Sequence, residues 1–151
     1  ERSVSATWTS ARPSRHRGAA GPCTPPFDDH VEMTMLLVWV ALGGAVGAAA
    51  RHLVTVGAVA LWGEAFPWGT LLCNLVGSTA IGWLAASLEH ESAKAFWMIG
   101  VLGGFTTFSA FSLQTFRLME QDAFGLAALY ALLSFVLCLG GVALGLVLGR
   151  A

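Results

Sequence analysis

Four long apolar stretches, parted by short polar breaks, fill the chain from Met35 onward. They run from about Met35 to Leu61, Trp68 to Leu88, Ala95 to Leu118 and Ala123 to Leu148. The first is interrupted by Arg51 and His52. Each supplies the roughly 20 residues a helix needs to cross a hydrocarbon core about 30 Å thick. No stretch alternates apolar and polar residues with period two, so a membrane β-barrel is not expected. The breaks fall at Gly63-Glu64 with Pro67, at Glu89-His90-Glu91 and at Glu120-Gln121-Asp122. Trp62, Trp68, Trp97 and Tyr130 lie near the ends of stretches, where aromatic side chains commonly meet the membrane interface. The pattern predicts an all-α membrane protein of four transmembrane helices.

Composition agrees with that pattern. Hydrophobic residues make up 56% of the chain and charged ones only 11%, against about 25% charged in a typical soluble domain. The net charge of −1 offers no basic surface, so nucleic acid is not an expected partner. Residues 1–32 differ from the rest: they carry four arginines, four acids and four of the five prolines, without an apolar run. They are expected to form a disordered N-terminal extension, with the four-helix domain spanning 33–151. Met33 and Met35 stand just ahead of the first apolar run, and either reads as a natural start of that domain.

Charge also bears on orientation. Four spans put both termini on one side, with Lys94 and Arg150; Arg51 and Arg117 fall on the other. The positive-inside rule thus gives no preference, and a chain without one can insert both ways and pair antiparallel.

Ionisable residues within the spans are limited to Arg51, His52 and, near an end, Arg117. No span carries a central Asp, Glu or Lys, which argues against a proton-coupled pump. Neutral hydrogen-bonding groups remain. Thr70, Asn74 and Ser78 follow i, i+4, i+8 spacing, and so do Tyr130, Ser134 and Cys138; each set lines one helical face. The alternative for Ser and Thr is bonding to their own helix, and for Asn bridging to another. Cys73 and Cys138 sit in apolar runs and read as small packing residues, and with Cys23 they lack metal-site spacing. Most glycines, such as Gly43, Gly44 and Gly47, read as close helix-packing positions.

The densest signal is Gly103-Gly104-Phe105-Thr106-Thr107-Phe108-Ser109-Ala110-Phe111-Ser112. Two glycines followed by two β-branched threonines make a poor helix interior. The third helix is therefore expected to break at mid-membrane, which is tolerated only where the freed backbone groups find partners. Freed carbonyls are hard oxygen ligands suited to a small cation. Phe108 and Phe111 share a face at i, i+3, and their electropositive ring edges can meet an anion. The plainer reading is a phenylalanine pair packing in a bundle.

These residues resemble the CrcB/Fluc fluoride channels. Gly43-Gly44-Ala45-Val46-Gly47-Ala48 with Arg51 is similar to the family's first-helix motif. Pro67-Trp68-Gly69-Thr70 through Asn74, Gly77 and Ser78 is similar to its second, the Gly103–Ser112 run to its third, and Tyr130 with Ser134 to its fourth. The resemblance covers about residues 35–149. It implies an antiparallel, dual-topology homodimer in the inner (plasma) membrane, with fluoride as the permeating ion. It also implies a structural Na+ at the dimer centre, held by the backbone carbonyls of Gly103 and Thr106 from each copy. Asn74, Phe108 and Phe111 would line the anion path, Thr70, Ser112, Tyr130 and Ser134 would continue it, and Arg51 would raise anion concentration at a vestibule. The chain departs from the family pattern at Ala110, usually Thr, at Gln114, commonly Glu, and at Cys138, often a hydroxyl residue. No enzymatic activity is expected. A small secondary transporter would want a mid-membrane carboxylate, which is lacking, and a non-transporting scaffold would not need the Gly-Gly/Thr-Thr run beside Asn74.

Overall fold

The computed structural model describes residues 27–151, with side chains from Val31 onward. The described residues are helical throughout apart from short connections. α1 (Phe27–Trp62) is followed by α2 (Trp68–Ser87), a one-turn α3 (Glu91–Lys94) and a π-helical segment, Ala95–Leu102. α4 (Gly103–Phe105), α5 (Phe108–Glu120) and α6 (Phe124–Arg150) complete the chain. Val31–Trp62, Trp68–Ser87, Glu91–Glu120 and Phe124–Arg150 are each long and apolar enough to cross a membrane.

The first helix begins earlier than the apolar pattern predicts. Its 36 residues extend about 54 Å at 1.5 Å per residue, well beyond a hydrocarbon core. Hydropathy marks only the part of a helix that lies in lipid, so the upstream turns escape a hydrophobicity reading. The expected disorder of residues 1–32 falls outside the described residues up to residue 26, and 27–32 belong to α1.

The helix ends follow local chemistry. Gly63 takes a φ of 73° directly after α1, and its N–H donates to the Val59 carbonyl at 2.8 Å. Such a left-handed residue closes a helix at little cost when it is glycine. Asp122 takes the same region, φ 58°, between α5 and α6, and the Ala123 N–H reaches the Leu118 carbonyl at 2.9 Å.

Two helix pairs are joined backbone to backbone. α1 lies on the π-helical segment and α4 through Gly43, Gly47, Gly100 and Gly104. A methyl group at Gly43 or Gly47 would land on the Phe96 or Val101 carbonyl. A Cβ at Gly100 would sit 2.9 Å from the Gly43 Cα. α2 meets α6 in the same way: a methyl at Gly82 would strike the Val142 carbonyl, and one at Gly145 the Thr79 carbonyl. In lipid, close approach of this kind supplies the van der Waals attraction that holds helices together. A smaller side-chain core of Leu71, Leu118, Ala127 and Tyr130 ties α2, α5 and α6, with Phe66, Phe111 and Ala123 packed around it. Tyr130 is fully buried there, so it is not the interfacial aromatic its sequence position suggests.

Candidate functional site: an uncharged cleft beside an interrupted helix

The third span leaves helical geometry at two residues. Thr106 has φ −84° and ψ 157°, and Thr107 has φ −156° and ψ 123°; both are extended. α2 holds this segment at two points. The Asn74 amide clasps Thr107: Oδ1 accepts the Thr107 N–H at 2.8 Å, and Nδ2 donates to the Thr107 carbonyl at 3.0 Å. Three residues on, Gly77 leaves room for the Thr106 methyl, which a Cβ would strike. The Thr107 hydroxyl then caps α5, accepting the Ala110 N–H at 3.2 Å.

This bonding pattern diverts the donors of two carbonyls. In an unbroken helix the Gly103 carbonyl would accept the Thr107 N–H, and the Thr106 carbonyl the Ala110 N–H. Here Asn74 takes the first donor and the Thr107 hydroxyl the second. Gly103 and Thr106 are thus among the carbonyls of the interruption that lose their helical donors, and neutral oxygens of this kind suit a hard cation. The donor set fits the sodium site expected from the resemblance. No group of three His, Cys, Asp or Glu side chains able to hold a metal exists among the described residues.

A cleft of about 400 Å³ opens beside the interruption. Asn74, Gly77 and Ser78 of α2, Thr106 to Phe108 and Phe111 of the third span, and Ser134 and Cys138 of α6 are among its walls. The lining contains no charged residue. Its polar groups are neutral and partly unspent. Asn74 Nδ2 carries two hydrogens, of which Thr107 uses one. Ser134 is 7% exposed and its Oγ has no hydrogen-bond partner. The Phe108 and Phe111 rings lie 5.5 Å apart, and Phe111 stands 5.2 Å from Tyr130. Phe108 is 79% exposed in the single chain, so its ring is covered only by what lies outside it.

The remaining expected residues are dispersed. Thr70 lines a second cavity, of about 350 Å³, between α1, α2 and α5, together with Gln114 and Arg117. Tyr130 lines neither cavity, but its hydroxyl donates to Gln114 Oε1 at 3.0 Å and so joins the cleft's Phe111 to the second cavity. Ser112 spends its hydroxyl on the Phe108 carbonyl at 2.9 Å. Arg51 is half-buried in α1 and lines neither cavity; the arginine that does line one is Arg117. Reading the spans for ionisable residues picks out Arg117, but only packing puts it beside Thr70. Gln114, noted in the sequence as a departure, is the acceptor that fixes Tyr130.

The match to known proteins is extensive. The family described as CrcB-like protein, Camphor Resistance (CrcB), matches residues 38–146. A protein of Magnetococcus marinus named "Fluoride-specific ion channel FluC" is 46% identical over 121 residues, covering 77% of this chain and 98% of that protein. Proteins of the same name from Cereibacter sphaeroides and Rhodospirillum centenum are 50% and 48% identical, covering 76% and 78% of this chain and 94% and 97% of theirs. The match takes in all four apolar spans and the interruption between α4 and α5, and the chain belongs to the CrcB-like family as a multi-pass membrane protein.

Proposed function

We propose that the chain is a fluoride channel of the inner membrane, working as an antiparallel homodimer. The observation that carries this reading is the uncharged cleft, lined by Asn74 with a spare N–H, by Ser134 with an unpartnered hydroxyl and by two phenylalanine rings. Relatives at 46–50% identity bear the name of a fluoride-specific channel.

Fluoride is small and strongly hydrated. To cross lipid it must exchange water for donors along its path. Amide and hydroxyl N–H and O–H groups donate directly, and ring edges present positive partial charge. None holds the ion as a lysine would, which suits conduction, because a site must release what it binds. Asn74 acts twice: it fixes the interruption through Thr107 and turns its second N–H to the guest. Thr70 and Tyr130, whose hydroxyl is held by Gln114, lead toward the second cavity, where Arg117 adds positive potential. Transport is passive. Fluoride that enters a cell as neutral HF dissociates, and the anion leaves down its gradient.

Dimerisation follows from the interruption. Backbone groups freed in hydrocarbon must be covered by protein, water or an ion, and Gly103 and Phe108 are both exposed in the single chain. A second copy laid against this face supplies the cover. Gly103 and Thr106 from each copy would then hold a structural Na+, whose charge would add positive field between the two pathways. The balanced loop charges favour dual topology, and a C-terminal reporter that finds one orientation only would overturn that part.

The test is fluoride efflux from liposomes containing the purified protein, with sodium present. Efflux of fluoride without chloride or proton coupling is expected. A monodisperse dimer that passes no fluoride defeats the reading.

A further inference from the structure

We propose that the second cavity, between α1, α2 and α5, is a binding site for small monocarboxylates with a compact apolar tail, and that its occupation obstructs fluoride. The obstruction rests on the reading of this cavity as an end of the anion path.

The cavity opens where α1 and α5 end and α2 begins. Gly63, Glu64 and Pro67 of the α1–α2 connection and Gln121, just past α5, stand on its walls, so aqueous solutes reach it. Its donors come from one side of one helix. Gln114, Arg117 and Gln121 follow i, i+3, i+7 spacing along α5 and its C-terminal cap. Gln114 is held in place: the Tyr130 hydroxyl donates to its Oε1 at 3.0 Å, and the Thr70 side chain meets the same hydroxyl. Both hydrogens on Gln114 Nε2 are left without a partner among the described residues. The Arg117 guanidinium likewise has no hydrogen bond and no ion pair among them, although Glu64 lines the same cavity. Arg117 is exposed, which puts its charge at the mouth, while Thr70 is buried at the base. The opposite wall is apolar: Ala58 and Val59 of α1 stand there with Phe66 and Trp68, whose rings lie 4.6 Å apart.

These walls select their ligand. A guanidinium presents a planar fork that takes a carboxylate through two parallel N–H···O bonds, a match no spherical halide offers. The Gln114 amide, one turn back, supplies N–H groups for the lone pairs the fork leaves free. Arg117 is the one cation among the lining residues, and Glu64 beside it repels a second negative charge, so a monoanion fits better than a phosphate dianion. The apolar wall takes the tail, and a volume of about 350 Å³ limits that tail to a ring or a short chain. A carboxylate seated between Arg117 and Gln114 stands beside Thr70 and Tyr130, the groups that lead fluoride toward this cavity.

The experiment uses the full chain in detergent micelles, with benzoate as the probe and neutral benzamide as its control. Saturation-transfer NMR, with empty micelles subtracted, is expected to show saturable binding of benzoate at about 1 mM and none of benzamide. Arg117→Gln should weaken benzoate at least about tenfold, as loss of a charge-assisted bond does. Arg117→Lys keeps the charge but loses the fork, and should weaken it several-fold. The site is overturned if benzoate shows no saturable binding up to about 50 mM, if benzamide binds equally, or if R117Q binds benzoate as the unaltered chain does. Undiminished binding in R117K overturns the bidentate carboxylate. In liposomes with benzoate at equal concentration on both sides, fluoride efflux should fall several-fold, while R117Q stays at its own untreated rate. Bound benzoate with unchanged efflux overturns the obstruction. Unaltered protein that passes no fluoride before benzoate is added defeats the functional reading instead, and the NMR titration then decides the site alone.

Discussion

The two halves of the third span meet the rest of the molecule in opposite ways. Upstream, Ala95–Phe105 lies against α1 with backbone on backbone, through glycines that admit no added methyl group. Downstream, α5 is held by side chains: Leu118 and Phe111 pack on Tyr130, while Phe108, Leu113 and Phe116 remain largely exposed. Between the halves, Asn74 clasps the two-residue extended link. One half serves as a fixed post, and the other presents an unfinished face and an open cleft. In lipid this division has a physical basis. Without a hydrophobic driving force between helices, rigidity comes from close packing. A site that must take in and release an ion needs groups not already committed to such packing.

The comparison can be broken most forcefully at the post. Gly47→Val forces a branched side chain onto the Val101 carbonyl, where neither backbone can yield. Overpacking of this kind costs about 3 kcal/mol, and the variant should lose its monodisperse peak in size-exclusion chromatography. A well-behaved, thermally unaltered protein would show that the two helices are not locked. Next comes the clasp. Asn74→Ala orphans the Thr107 N–H and carbonyl, a loss of about 2 kcal/mol in stability. Fluoride efflux should fall about tenfold or more, the equivalent of about 1.4 kcal/mol, even at temperatures where the protein remains folded. Asn74→Asp keeps the acceptor to the Thr107 N–H but lacks the donor, and should fail as well; normal efflux in both would move the pathway elsewhere.

On the open side the effects should shift from stability to transport. Phe108→Ile alters a ring that is 79% exposed in the single chain, so the monomer fold should be unaffected. Efflux should drop several-fold because the ring edge is gone, a contribution of about 1 kcal/mol. Full efflux in the Ile variant would reduce the phenylalanine pair to packing. The smallest change is expected at the junction. Tyr130→Phe removes the hydrogen bond to Gln114 and the hydroxyl's contact with the Thr70 side chain, a cost of about 1 kcal/mol. Its melting temperature should fall by a few degrees and its efflux by less than that of Asn74→Ala. An equal or larger loss of efflux would make Tyr130 a direct contact of the ion rather than a link between cavities.

Much of this architecture is legible along the chain because lipid makes a blunt demand: some 20 apolar residues for each crossing. Four spans and their breaks follow from that demand alone. The run Gly103 to Thr107 is a poor helix interior on local grounds, and Thr106 and Thr107 are extended. Other features are not local. Asn74 and Thr107 are 33 residues apart, and nothing in either segment names the other as partner. Tyr130 looks interfacial by position, but packing buries it completely. Arg51 and Arg117 look alike as lone arginines within the spans, and only packing brings one of them to a cavity lined by α1, α2 and α5.

The amino-acid order by itself determined the number of spans, their lengths and the absence of charge from the mid-membrane chemistry, since each depends on the cost of putting a side chain in hydrocarbon. The tertiary structure alone decided which neutral groups are spent on the protein and which remain free. Thr107 consumes half of Asn74's donors, and the helix leaves the Ser134 hydroxyl unclaimed. Hydrogen-bonding capacity is a property of each residue, but its allocation depends on neighbours that only folding brings within 3 Å.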